Sequence, residues 1–126
     1  MRRVTKIRQQ IVEERGPRCQ LCGRIRRLAC HEIARGPDRP KALGARCAIL
    51  VVCSECNTGP LDDQTLWPKE KQLALLRLQC PQDYSLDLFN ALTAPRRYYQ
   101  DDVDSFLPQL QGVRDGNFSD TRPAGR

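Results

Sequence analysis

The chain has 126 residues, 40% of them hydrophobic and 6% aromatic, which fits one domain or a small domain with an appendage and excludes a large core. No apolar run approaches the ~20 residues needed to cross a bilayer, and the basic start MRRVTKIRQQIVEER lacks the apolar stretch of a secretory signal, so a cytoplasmic protein with no membrane partner is expected. The net charge of +6 is uneven: residues 1–46 carry 13 Lys/Arg against 4 Asp/Glu, a net of +9, and residues 47–126 carry 8 against 11, a net of −3. A basic first half suits a phosphate backbone as partner, whether of DNA or of RNA.

Residues 4–15 are predicted as a helix, with Thr5 as its cap and Val4, Ile7 and Ile11 at helical spacing. Gly16-Pro17 ends it. Cys19-Gln20-Leu21-Cys22 follows, and Cys53-Ser54-Glu55-Cys56 comes after a gap of thirty residues. Each pair can set two thiolates on one tight knuckle, and two knuckles supply the tetrahedral sulfur set of a closed structural zinc site. A redox reading would need a βαβ context that the pattern lacks. Seven cysteines are an odd number, and in a cytosolic chain the spacing argues for metal over disulfides. Cys30, Cys47 and Cys80 are expected as small buried hydrophobes.

Between the knuckles, residues 28–34 (LACHEIA) read as a short strand holding the only histidine, His31, beside Glu32. Residues 35–46 are expected as a loop, from two Pro, two Gly and four basic residues. Residues 47–53 (CAILVVC) read as a buried strand that runs into the second knuckle. Asn57 follows that knuckle, and Asp62 and Asp63 come shortly after as carboxylates suited to a hard cation. Arg24, Arg26, Arg27, Arg35, Arg39, Lys41 and Arg46 are the candidate phosphate contacts.

The second half reads as helical. Trp67-Pro68 opens a helix over 69–79 with Leu73, Leu76 and Cys80 on one face. Ser85 caps one carrying Leu86, Phe89 and Leu92. Asp101 and Asp102 start a third with Val103, Phe106, Leu107 and Leu110 in register, which Pro108 would kink or shorten. From Gly112 the chain is polar and Gly-rich, and a flexible tail is expected. The organisation expected is 1–62 as a zinc-knuckle domain, 63–111 as a helical extension packed on it, and 112–126 as the tail.

A CxxC knuckle, a strand ending His31-Glu32-Ile33, a loop, an apolar strand and then Cys53-Ser54-Glu55-Cys56-Asn57 together resemble the HNH endonuclease family. The likeness is to the small HNH proteins that bacteriophages encode, and it covers Cys19 to about Gly59. It implies an α+β fold whose ββα-metal core holds one catalytic Mg²⁺ or Mn²⁺, stapled by a separate structural Zn²⁺ on the four cysteines. It further implies hydrolysis of DNA phosphodiesters in the cytoplasm, that of the host if the chain is phage-encoded. With Ile33 aligned, His31 falls on the family's metal-ligand position and Glu32 on its general-base position; alternatively His31 is the base and Glu32 holds metal with another acid. The family's middle Asn falls near Ala48, where the chain has no polar side chain, and its last position falls on Asn57. Two other classes stand beside the nuclease: a non-catalytic zinc-binding nucleic-acid or adaptor module, and a protein-interaction module using the acidic helical half. A homodimer or larger assembly would suit a double-strand cutter.

Overall fold

The computed structural model describes residues 3–110. Helix α1 (Arg3–Arg15) leads into the first knuckle. An antiparallel hairpin of β1 (Leu28–Glu32) and β2 (Ile49–Cys53) forms the sheet. Helix α3 (Ser54–Thr58) follows β2 directly, so the central order is strand, strand, helix. Helices α4 (Lys69–Gln79), α5 (Leu86–Thr93) and α6 (Gln100–Asp104) complete the described chain. The architecture is α+β. The tail expected over 112–126 lies outside the described residues.

The expected α1 appears with one shift. It already begins at Arg3, so Thr5 lies inside its first turn and does not cap it. The segment expected as a loop over 35–46 is partly ordered as a 3-10 turn, Gly36–Asp38, and one helical turn, α2 (Arg39–Ala42). Pro37 and Pro40 sit at early helical positions, where a missing N–H costs nothing. The strand expected over 47–53 is shorter, because Arg46–Ala48 curl into a 3-10 turn. Ser85 does cap α5, its hydroxyl accepting from the Leu88 N–H at 3.2 Å. The third helix ends at Asp104, and Pro108 falls beyond it.

All of β2 is buried because both of its faces are covered. Alternate side chains point opposite ways along a strand. Ile49 and Val51 meet Ile11 beneath α1, while Leu50 and Val52 enter a core with Trp67, Leu73, Leu76 and Phe89 from the helical half. That core continues to Val103 and Leu110, so hairpin, knuckles and helices share one apolar interior.

Buried polar groups join the parts. Gln20, on the first knuckle, lies along β2: its N–H donates to the Val51 carbonyl at 2.8 Å and its Oε1 accepts the Val51 N–H at 2.7 Å. Its amide nitrogen donates to Gln79 Oε1 at 3.1 Å, and Gln79 donates back to its carbonyl at 2.6 Å. Arg15, its side chain 4% exposed, donates to the Ile49 carbonyl at 2.7 Å and pairs with Asp83 at 2.8 Å. Breaking a buried ion pair leaves its partner uncompensated and costs on the order of 3–5 kcal/mol. Arg46 also reaches Asp83, at 3.4 Å, and recovers part of that. Arg15→Met is therefore expected to destabilise the zinc-loaded chain by about 3 kcal/mol in denaturant unfolding. A loss near zero would show that this pair does not hold α1 to the turn after α4.

Candidate functional site

Two sites emerge, one of sulfur and one of polar side chains. In the first, Cys19 and Cys22 come from the turn after α1, Cys53 ends β2 and Cys56 lies in α3. All four ligand atoms lie within 4.8 Å of one another, and the Cys22 and Cys53 sulfurs are 3.9 Å apart. A tetrahedron with Zn–S bonds of about 2.3 Å has S···S edges of about 3.8 Å, so the cluster is of a size to hold a metal ion such as zinc. The knuckle needs a left-handed residue to turn the chain back, and Gly23 supplies it at φ 77°. Its N–H donates to the Cys19 carbonyl at 2.9 Å, and the Cys19 N–H donates to the Arg24 carbonyl at 2.9 Å.

The sulfurs are electrostatically prepared for a cation. The Cys56 thiol beside Cys19, with help from the N–H groups of Cys22, Cys53 and Leu21, pulls Cys19 down to about 4, against its burial. Those three backbone donors each lie 3.4 Å from its sulfur. Cys56 moves the other way: its bond to Cys19 and its burial push it up. Burial likewise raises Cys22. Cys30, Cys47 and Cys80 stand apart from this cluster as free thiols raised by burial, Cys47 to about 11.

The second site lies at the far end of β1. A cleft of about 240 Å³ is lined by Arg8, Cys30, His31, Glu32, Arg35, Gly36, Arg39 and Asn57. Its walls come from α1, β1, the 36–42 turns and α3, so a hairpin end and three other segments converge there.

His31 is held at both ring nitrogens. Nε2 lies 2.8 Å from Gln72 Oε1, and Nδ1 lies 2.8 Å from Asn57 Oδ1. The Gln72 amide nitrogen donates to the Trp67 carbonyl at 2.7 Å. That bond turns the Gln72 oxygen toward the ring, and an oxygen acceptor requires a proton on Nε2. Nδ1 is then the nitrogen whose proton can come and go. Asn57 serves either state: its oxygen accepts from a charged ring, and its amide nitrogen, after a flip, donates to a neutral one.

Glu32 is nearly sealed. Its Oε2 pairs with Arg8 Nη2 at 2.8 Å and accepts the Gly44 N–H at 3.4 Å. Its Oε1 and the Arg8 Nε are both buried without a hydrogen-bond partner. An orphaned carboxylate oxygen in the lining of the cleft is a donor suited to a hard divalent cation.

The remaining candidates are dispersed. Asp62 does not line the cleft; it is exposed and reaches the rim through Arg35 at 3.1 Å. Asp63 turns to its own loop, accepting the Thr65 N–H at 2.9 Å and the Thr65 hydroxyl at 2.6 Å, and these bonds lower its carboxyl below the usual range. Ala48 is buried and contributes only its carbonyl, to Ile33 N–H at 2.8 Å. Of the basic candidates, Arg35 and Arg39 line the cleft. Arg24 and Arg26 pair with Glu55, at 3.6 and 2.9 Å. Arg46 forks onto Glu14 at 2.7 and 3.0 Å, and Lys41 donates to the Ala94 carbonyl at 2.7 Å. Arg27 is exposed away from the cleft lining. The sequence reading missed Arg8 and Gln72. Gln72 carried a signal, being a polar residue four before Leu76 on the face that α4 buries; Arg8 carried none beyond its charge.

No family model, no characterised protein and no solved structure matches the chain. What the two sites can do rests on their own chemistry. No described helix is long and apolar enough to cross a membrane.

Metal thiolates form only by displacing protons, so acid competes with the metal. Cys19 is already held low, and Cys22 and Cys56, held high, carry the competition. One zinc per chain is expected, with affinity falling by at least about tenfold for each unit from about pH 8 to about pH 6 in a competition titration. Affinity unchanged over that range would exclude the four-thiolate site.

Proposed function

We propose that the chain is an HNH-like endonuclease: a zinc-stapled hairpin that presents His31, Glu32 and Asn57 to a DNA phosphodiester. The observation that carries this is that these three residues line one cleft whose other charged walls are Arg8, Arg35 and Arg39. Three guanidinium groups against the Glu32 carboxylate and the rim carboxylate of Asp62 leave a positive balance that favours an anion there. The strand, strand, helix order around them agrees with the resemblance in the sequence.

In this reading the four cysteines hold Zn²⁺ and have no chemical role. Arg35 and Arg39 take the phosphate oxygens. His31, its Nε2–H held by Gln72, accepts the proton of the attacking water at Nδ1 once Asn57 swings off that nitrogen. The water oxygen bonds to phosphorus, and the bond from phosphorus to the leaving sugar oxygen breaks. Mg²⁺ or Mn²⁺ would be held by Glu32 with Asn57, and Asp62 stands at the rim through Arg35. When bound it would offset charge on the phosphate and the leaving oxygen. This assigns His31 as base and Glu32 as ligand, because Glu32 is the group with a vacant buried oxygen.

A second reading, a nucleic-acid-binding module without catalysis, is favoured by one observation: the Arg8–Glu32 ion pair occupies the carboxylate a catalytic metal would need. The experiment that separates the two is nicking of supercoiled plasmid by the zinc-loaded chain with Mg²⁺ or Mn²⁺. Metal-dependent nicking is expected, reduced at least about a hundredfold in His31→Ala, the lower end of the range for losing a general base. Salt-sensitive DNA binding without nicking would establish the binding module instead.

A further inference from the structure

We propose that Arg8 is a latch on Glu32, opened by the phosphodiester, so that phosphate and divalent metal enter the cleft cooperatively. The proposal rests on the nuclease reading and adds to it an order of assembly and a positioning residue on α1.

The ion pair is made by one bond where its groups could make two. Guanidinium and carboxylate pair best side-on, through two parallel N–H···O bonds. Here Arg8 Nη2 meets Glu32 Oε2 at 2.8 Å, while Arg8 Nε and Glu32 Oε1 are both buried with no partner. A buried donor and a buried acceptor left unmet in one pair make it costly to keep as it stands. No other acid pairs with Arg8 among the described residues.

Each half has a better-matched ligand. A phosphate oxygen pair can take both the Nη2 and Nε protons of Arg8, and a hard cation can take both oxygens of Glu32. Neither exchange is favourable alone. Phosphate drawing Arg8 away would leave Glu32 as a buried, uncompensated anion, and a cation on Glu32 would face the Arg8 charge. Both together satisfy all four groups. The two side chains are also unequally fixed: the Arg8 side chain is 32% exposed and free to swing, while Glu32, at 4%, is held in β1 and by the Gly44 N–H. The moving part is therefore Arg8.

The test is Mn²⁺ binding by the full zinc-loaded chain, read from the loss of the free-ion electron paramagnetic resonance signal. Dimethyl phosphate, a phosphodiester monoanion, serves as the anion probe. Wild type is expected to bind Mn²⁺ weakly alone and about tenfold more tightly with the probe, within the usual range for coupled sites. Arg8→Gln is expected to bind about tenfold more tightly without the probe and to gain nothing from it. Arg8→Lys, which keeps the charge and loses the fork, should behave like wild type without the probe. Glu32→Gln should remain weak in both conditions. Each variant is checked for one bound zinc, so a folding defect is not read as a lost latch. Equal Mn²⁺ affinity in wild type and Arg8→Gln, or no Mn²⁺ binding by either, would overturn the latch. Plasmid nicking beside equal affinities would overturn the latch and leave the nuclease; the expected Mn²⁺ shifts without nicking would do the reverse.

Discussion

Four sulfur atoms at one corner of the molecule constrain everything around them. Cys19 and Cys22 sit on a turn with no regular structure of its own, and Cys53 and Cys56 bracket the point where β2 becomes α3. A metal bridging them joins the start of the fold to its centre. Structural zinc in small domains contributes on the order of 10–16 kcal/mol, against a net stability of about 5–15 kcal/mol for a typical domain. The proposed zinc is thus of the same order as the stability of the whole. Crowding holds Cys19 low and pushes Cys22 and Cys56 up, an arrangement that a dication relieves.

From that corner the site follows by short steps. Asn57 is the residue after Cys56, so the sulfur cluster sets where its amide can reach. The register pairs Leu28 with Cys53, placing one end of β1 at the cluster and the other end, His31 and Glu32, at the cleft. Gln72 then comes from the helical half to hold the far nitrogen of the imidazole at 2.8 Å. The helices from 69 onward are therefore more than cover for the hairpin; one of them fixes the tautomer of the group proposed as base. The basic face is similarly selective. Most described arginines of the first half are paired with local acids or bound to carbonyls; of those lining the cleft, Arg8 pairs with Glu32 and Arg35 with Asp62, which leaves Arg39 without an ion pair among the described residues.

The elements were legible where the signal is local. Apolar spacing located α1 and α4, spacing with the Ser85 cap located α5, and the CxxC pairs located the sulfur cluster. The interruption at Arg46–Ala48 was not visible, because a run of apolar residues has no period that separates a 3-10 turn from a strand. The candidate site was half legible. His31, Glu32 and Asn57 stand out by type and by their place beside the knuckles, and they do line one cleft. Asp62 and Asp63 looked equivalent in sequence, yet one reaches the rim and the other closes a turn with Thr65. Arg8 and Gln72 were not legible as site residues, since their partners lie 24 and 41 residues away and nothing local records such distances. Gln20 belongs with them: between two cysteines it reads as a spacer, whereas its amide joins β2, through Oε1, to Gln79 of α4, through the nitrogen.

The most direct test of this account is X-ray absorption at the zinc edge on protein produced with zinc and never exposed to chelator, together with elemental analysis. One zinc per chain, with a first shell of four sulfurs at about 2.3 Å and no nitrogen or oxygen, is the predicted result. A chain that folds with no zinc, or a shell containing light atoms in place of sulfur, would contradict the clamp on which the hairpin, the position of Asn57 and the cleft all depend.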